Sequence, residues 1–91
     1  MPETEKSFCP LCDLLAQFER YDESRIRYYE CPRCRCYAIS EAAVGYVNNH
    51  PESRFSLARG VRQMPQHAEI LEITVLARTL RVARVPRNKY S

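Results

Sequence analysis

The sequence predicts one α+β domain spanning residues 1–91. Three observations lead there. All five cysteines fall within the first 36 residues, four of them in two close pairs. Two amphipathic helical stretches fill residues 40–64, and a β-branched run occupies 69–85. The expected order is a cysteine-tipped β-hairpin with a third short strand (8–39), a two-helix hairpin (40–64), and a C-terminal strand or hairpin (69–85). Residues 1–7 and 86–91 read as polar tails.

Taken in order, segments 14–21 and 25–31 carry β-prone aromatics and are separated by turn-forming Asp22, Glu23 and Ser24. Residues 37–39 supply the third strand. Ser40 is placed to cap a helix whose apolar face is Ala42, Ala43, Tyr46 and Val47. Pro51 stops that helix, because the residue before proline avoids the α region. A second helix follows with the stripe Leu57, Ala58, Val61 and Met64. Pro65, Gln66 and His67 interrupt again. Leu71, Ile73 and Val75 then alternate as a strand does. A single helix over 67–85 is the competing reading, since it would place Glu69 and Glu72 early and Arg78, Arg81 and Arg84 late along the dipole. The density of β-branched residues favours strand.

Composition narrows the class. A hydrophobic fraction of 45% and a charged fraction of 27% are those of a globular chain. No run approaches the roughly 20 apolar residues of a membrane span. Residues 1–6 are too polar for a secretory signal, so a cytoplasmic protein is the expectation. In that compartment paired cysteines point to metal or thiol chemistry more than to disulfides.

The motif itself is Cys9-Pro10-Leu11-Cys12, 18 residues, then Cys31-Pro32-Arg33-Cys34. Two residues between cysteines let a tight turn aim both sulfurs at one point. Two such turns at one end of a hairpin make a tetrahedral four-sulfur cage, the preferred structural site of Zn²⁺. With four protein ligands no coordination position stays open for substrate. One structural Zn²⁺ held by Cys9, Cys12, Cys31 and Cys34 is therefore expected. A rubredoxin-type iron, a pair of disulfides and a redox-switched zinc site are the alternatives. Cys36 falls one residue out of phase and is expected to point away from the metal.

These two turns, with Phe8 before the first and Tyr29 and Glu30 before the second, resemble the knuckles of the zinc-ribbon group. The exit over residues 35–43 is similar to that of ribbons in many small bacterial proteins, where a short strand leads into a helix. The resemblance covers about residues 8–47 and implies a zinc-stabilised module. Ribbons variously bind nucleic acid, join protein assemblies or serve as scaffold. One departure stands out: knuckles commonly have glycine after the second cysteine, where the backbone turns left-handed, whereas this chain has Asp13 and Arg35.

Charge is a weaker guide. The formal charge is +3, but four thiolates and a divalent ion reduce it to about +1. Arg25, Arg27, Arg33 and Arg35, with Tyr28 and Tyr29 between them, form a candidate partner or nucleic-acid surface, joined by Arg78, Arg81 and Arg84. A solvated, charge-guarded sheet edge explains the same residues. Arg54, Arg59 and Arg62 read as the polar side of a helix, and His50 and His67 as surface residues. There is no glycine-rich phosphate loop, nucleophile triad or metalloprotease helix, so an enzyme with a small-molecule substrate is not expected. The leading expectation is a non-catalytic adaptor or regulator that binds a protein partner. A nucleic-acid-binding accessory and a zinc–thiolate redox sensor are the alternatives. An unpaired C-terminal strand would also suit a homodimer.

Overall fold

The computed structural model describes residues 4–21, 23, 25–64 and 68–90. Among them the strands are β1 (Glu5–Phe8), β2 (Leu15–Tyr21), β3 (Ile26–Cys31), β4 (Arg35–Ser40), β5 (Glu69–Leu76) and β6 (Thr79–Pro86). Helices α1 (Glu41–Asn49) and α2 (Pro51–Gln63) lie between β4 and β5. All six strands form one sheet in sequence order. β1 to β4 make an antiparallel meander, and β5–β6 an antiparallel hairpin. A short parallel pairing, Ala38↔Glu72 and Ile39↔Ile73, joins the two blocks. The chain is thus α+β as expected. No helix among the described residues is long and apolar enough to cross a membrane.

Period-2 alternation divides the side chains between two faces of the sheet. Phe18, Tyr29, Tyr37, Ile39 and Ile73 pack beneath the helices with Ala43, Val47, Leu57, Ala58 and Val61. The expected helix faces therefore hold, except that Ala42 is exposed. Ser40 caps α1 through its Oγ, which accepts from the Ala43 amide at 3.1 Å. His50 closes the same helix, its Nδ1 lying 3.0 Å from the Tyr46 carbonyl. Pro51 occupies the first turn of α2, where its missing N–H costs nothing. The opposite face carries a smaller cluster of Tyr28, Ala38, Ile70 and Tyr90.

Two expectations are corrected. Residues 1–7 are not all tail: Glu5–Phe8 is an edge strand in register with Leu15–Phe18. Its polar residues suit an edge with one free side, and Glu5 is tied to Arg20 at 2.5 Å. Residues 86–91 are not a tail either. Arg87–Tyr90 forms a 3₁₀ turn whose Tyr90 is 5% exposed and stacks on Tyr28 at 5.6 Å. The C-terminal β segment holds as expected, and the competing helix is excluded by a hairpin turning at Ala77 and Arg78, with φ of 52° and 63°. Neither residue favours that left-handed region, so the turn is held by the eight-pair ladder on either side of it. The interruption expected at residues 65–67, including His67, and the turn residues Asp22 and Ser24 lie outside the described residues.

Candidate metal centre

Both cysteine pairs sit on tight turns at one end of the meander. The first turn links β1 to β2 and is closed by Cys9 N–H to the Leu14 carbonyl (2.7 Å) and Asp13 N–H to the Cys9 carbonyl (2.9 Å). The second is the β3–β4 turn, where Cys31 pairs with Arg35. Asp13 and Arg35 have φ of 64° and 72°, the left-handed geometry at which glycine is usual. Asp13 uses its side chain there, since its Oδ1 lies 2.5 Å from Arg54 Nη2 on α2.

The ligand atoms of Cys9, Cys12, Cys31 and Cys34 all lie within 4.8 Å of one another. The Sγ atoms of Cys12 and Cys31 are 3.4 Å apart. A zinc tetrahedron with bonds near 2.3 Å has edges of about 3.8 Å, so the donor set fits a four-sulfur ion site. None of the five cysteines is in a disulfide, which argues against the disulfide alternative. Cys9, Cys31 and Cys34 are buried and Cys12 is half-buried. Cys36 packs on the other face beside Tyr28 and, as expected, does not belong to the cluster.

The surroundings act differently on the individual sulfurs. Tyr37 places its hydroxyl 3.0 Å from Cys9 Sγ, and Arg62 Nη2 donates to Cys34 Sγ at 3.9 Å. The Cys9 thiol is brought down to about 5 by its hydrogen bond with Cys34, against the opposing effect of burial. Tyr37 and the amides of Leu11 and Cys12 add to the lowering. Cys34 is pushed up by its hydrogen bond to Cys9 and by burial, and Cys12 is pushed up chiefly by burial. Four sulfurs this close cannot all ionise without a cation among them. A divalent ion bound there would replace the protons shared within the cluster.

Away from the sulfurs, this face continues into a stacked and then an ionic layer. Tyr37 stacks on Tyr29 with centroids 5.4 Å apart and planes 10° from parallel. Arg27 Nη1 donates to the Tyr29 hydroxyl at 3.0 Å. Its Nε and Nη2 grip both oxygens of Glu41 at 2.8 and 2.9 Å, and Arg20 reaches the same carboxylate at 2.8 Å. This is a bidentate pair joining β3 to the start of α1.

The expected Arg–Tyr surface is therefore not assembled. Tyr29 is fully buried and Tyr28 is 8% exposed, so neither offers a ring to a nucleobase. Arg27 is committed to Glu41. Arg25 lies at the far end of β3, roughly 20 Å along the strand from the knuckle that carries Arg33 and Arg35. Arg33, Arg35, Arg78, Arg81 and Arg84 are exposed, with Arg78 in the hairpin turn and Arg81 and Arg84 on β6. Sequence reasoning missed Tyr37, Arg62 and Glu41. For Tyr37 a signal existed: counting in twos from Cys31 places Tyr29, Arg35 and Tyr37 on one face. No family model, curated protein or solved structure matches the chain.

Proposed function

We propose that the four-cysteine centre binds one Zn²⁺ in a structural role. On this reading the protein is a non-catalytic zinc-ribbon module that works as an adaptor or regulator by binding another protein. The observation that carries this is the closed cage: four sulfurs within 4.8 Å of one another, three of them buried. Zinc supplies the cross-link that a small core lacks, fixing both knuckles and the strands that end in them. Four sulfur ligands leave no position for substrate, which is why the role is read as non-catalytic. Around the cage, Phe8, Leu14, Leu15 and Phe55 are exposed and offer apolar side chains to a partner.

The nucleic-acid alternative loses its stacking residues to the core. The redox alternative loses one support, since Cys36, the candidate resolving thiol, packs on the face with Tyr28. Elemental analysis of the chain purified under reducing conditions tests the metal: one zinc per chain is expected, and iron or no metal refutes it. Affinity capture from native cells, with the zinc intact, tests the adaptor role. A specific, stoichiometric protein partner is expected, whereas recovery of nucleic acid alone would favour the alternative.

A further inference from the structure

A groove of about 530 Å³ runs between the two knuckles and α2. That is within the range of about 300–1,000 Å³ typical of sites that take several side-chain-sized groups. Its apolar part comes from Leu11 on the first knuckle and from Phe55 and Ala58 on the helix. Phe55 is 84% exposed, an aromatic ring left in water on an otherwise polar helix side. Besides Cys12, Pro51 and Gln63, the rest of the lining is cationic. Arg33 stands on the second knuckle, and Arg54, Arg59 and Arg62 follow along α2.

The four arginines are not equivalent. Arg54 is neutralised by Asp13, and Arg62 leans on the Cys34 sulfur. Arg33 and Arg59 are exposed, and neither forms an ion pair among the described residues. Two unpaired guanidiniums, one from each wall, thus flank an apolar floor. The chemistry that complements them is a chain carrying carboxylates on both sides of a large apolar side chain.

We infer that this groove docks an acidic peptide segment of a partner protein, with an apolar residue against Phe55 and Leu11 and flanking carboxylates on Arg33 and Arg59. The inference rests on the adaptor reading and names its contact surface. A phosphate backbone fits less well. The remaining exposed arginines of β6 belong to the opposite edge of the sheet from the first knuckle, so no continuous basic track forms.

Selection of a displayed library of random peptides on the zinc-loaded full chain tests this. Enriched sequences should combine Asp or Glu with Leu, Phe or Trp. A synthetic copy of one, followed by fluorescence anisotropy, should weaken more than about tenfold with Arg33→Glu plus Arg59→Glu, and about tenfold with Phe55→Ser. All three positions are exposed, so zinc content and thermal stability should match wild type. Enrichment of basic or uncharged peptides, failure to enrich any, or binding indifferent to these variants overturns the proposal. So does tighter binding of a single-stranded oligonucleotide to the same groove. A partner captured equally by wild type and by the double variant removes the groove but leaves the adaptor reading standing. A chain without zinc that still selects acidic peptides through Arg33 and Arg59 supports the groove while refuting the wider reading.

Discussion

On the helix side of the sheet, order is imposed by sulfur, by a stacked tyrosine pair and by an arginine–carboxylate network. On the other side it comes from one residue near the C-terminus. Tyr90 lies edge-on to Tyr21 at 5.2 Å, stacks on Tyr28, and hydrogen-bonds to Glu72 through its hydroxyl. Lys89 joins the same carboxylate at 2.8 Å. On the proposed reading, the first face takes its cross-link from an external ion. The second is closed by the chain itself, and the contrast shows how a 91-residue chain can bury both sides of a six-stranded sheet.

Removing the ion should have the largest effect. Structural zinc contributes about 10–16 kcal/mol in small zinc peptides, as much as or more than the whole stability of about 5–15 kcal/mol expected of a domain. Cys31→Ser, or a strong chelator, should therefore unfold the meander over residues 8–37, seen as loss of amide-exchange protection there. A Cys31→Ser chain that keeps one zinc and native spectra would show that the first face does not depend on the metal. Truncating the second face should cost less. Tyr90→Ala should destabilise by about 3 kcal/mol, lowering Tm by roughly 15 °C, while zinc stays stoichiometric. If zinc is lost as well, the two faces are not separable.

Acid should distinguish the faces most finely, since each has one carboxylate held below its ordinary value of 4.5. Glu41 is lowered by its hydrogen bond from Arg27 against the effect of burial. For Glu72, burial opposes ionisation, but Lys89 and Tyr90 outweigh it. Both groups titrate lower when folded. Each therefore stabilises above pH 4.5, and that contribution disappears as pH falls through the folded value. Glu72→Gln and Glu41→Gln should each flatten the acid limb of urea-derived stability relative to wild type in the same buffers. The effect should be larger for Glu72, whose side chain is 15% exposed, than for Glu41 at 39%. For Glu41 it should stay below about 1 kcal/mol. Equal effects would mean that screening does not separate the two faces.

Much of this arrangement was legible in the sequence. Paired cysteines at metal-ligand spacing located the centre, the Ser40 cap marked where strand becomes helix, and the stripe from Leu57 to Met64 identified the buried side of α2. What escaped prediction was set by tertiary partners. Glu5 and Lys6 read as tail because an edge strand needs no apolar pattern. Ala77 and Arg78 read as strand interior because nothing in either residue favours a left-handed turn. Tyr28 looked like a surface aromatic because the second face was not expected to be covered. Tyr90, 62 residues beyond Tyr28, covers it.

The parallel pairing of β4 with β5 has a consequence in time. Every other pair of neighbouring strands is joined by a short connection and can form through local contacts. Ala38↔Glu72 and Ile39↔Ile73 must wait until two helices have brought residues more than 30 positions apart together. Loop closure of that kind is slow relative to turn formation, and pairing between distant segments sets the pace of small domains. The rate-limiting event in folding is therefore expected at the middle of the sheet. The metal end, for all its stabilising power, can assemble early and hold its half ready.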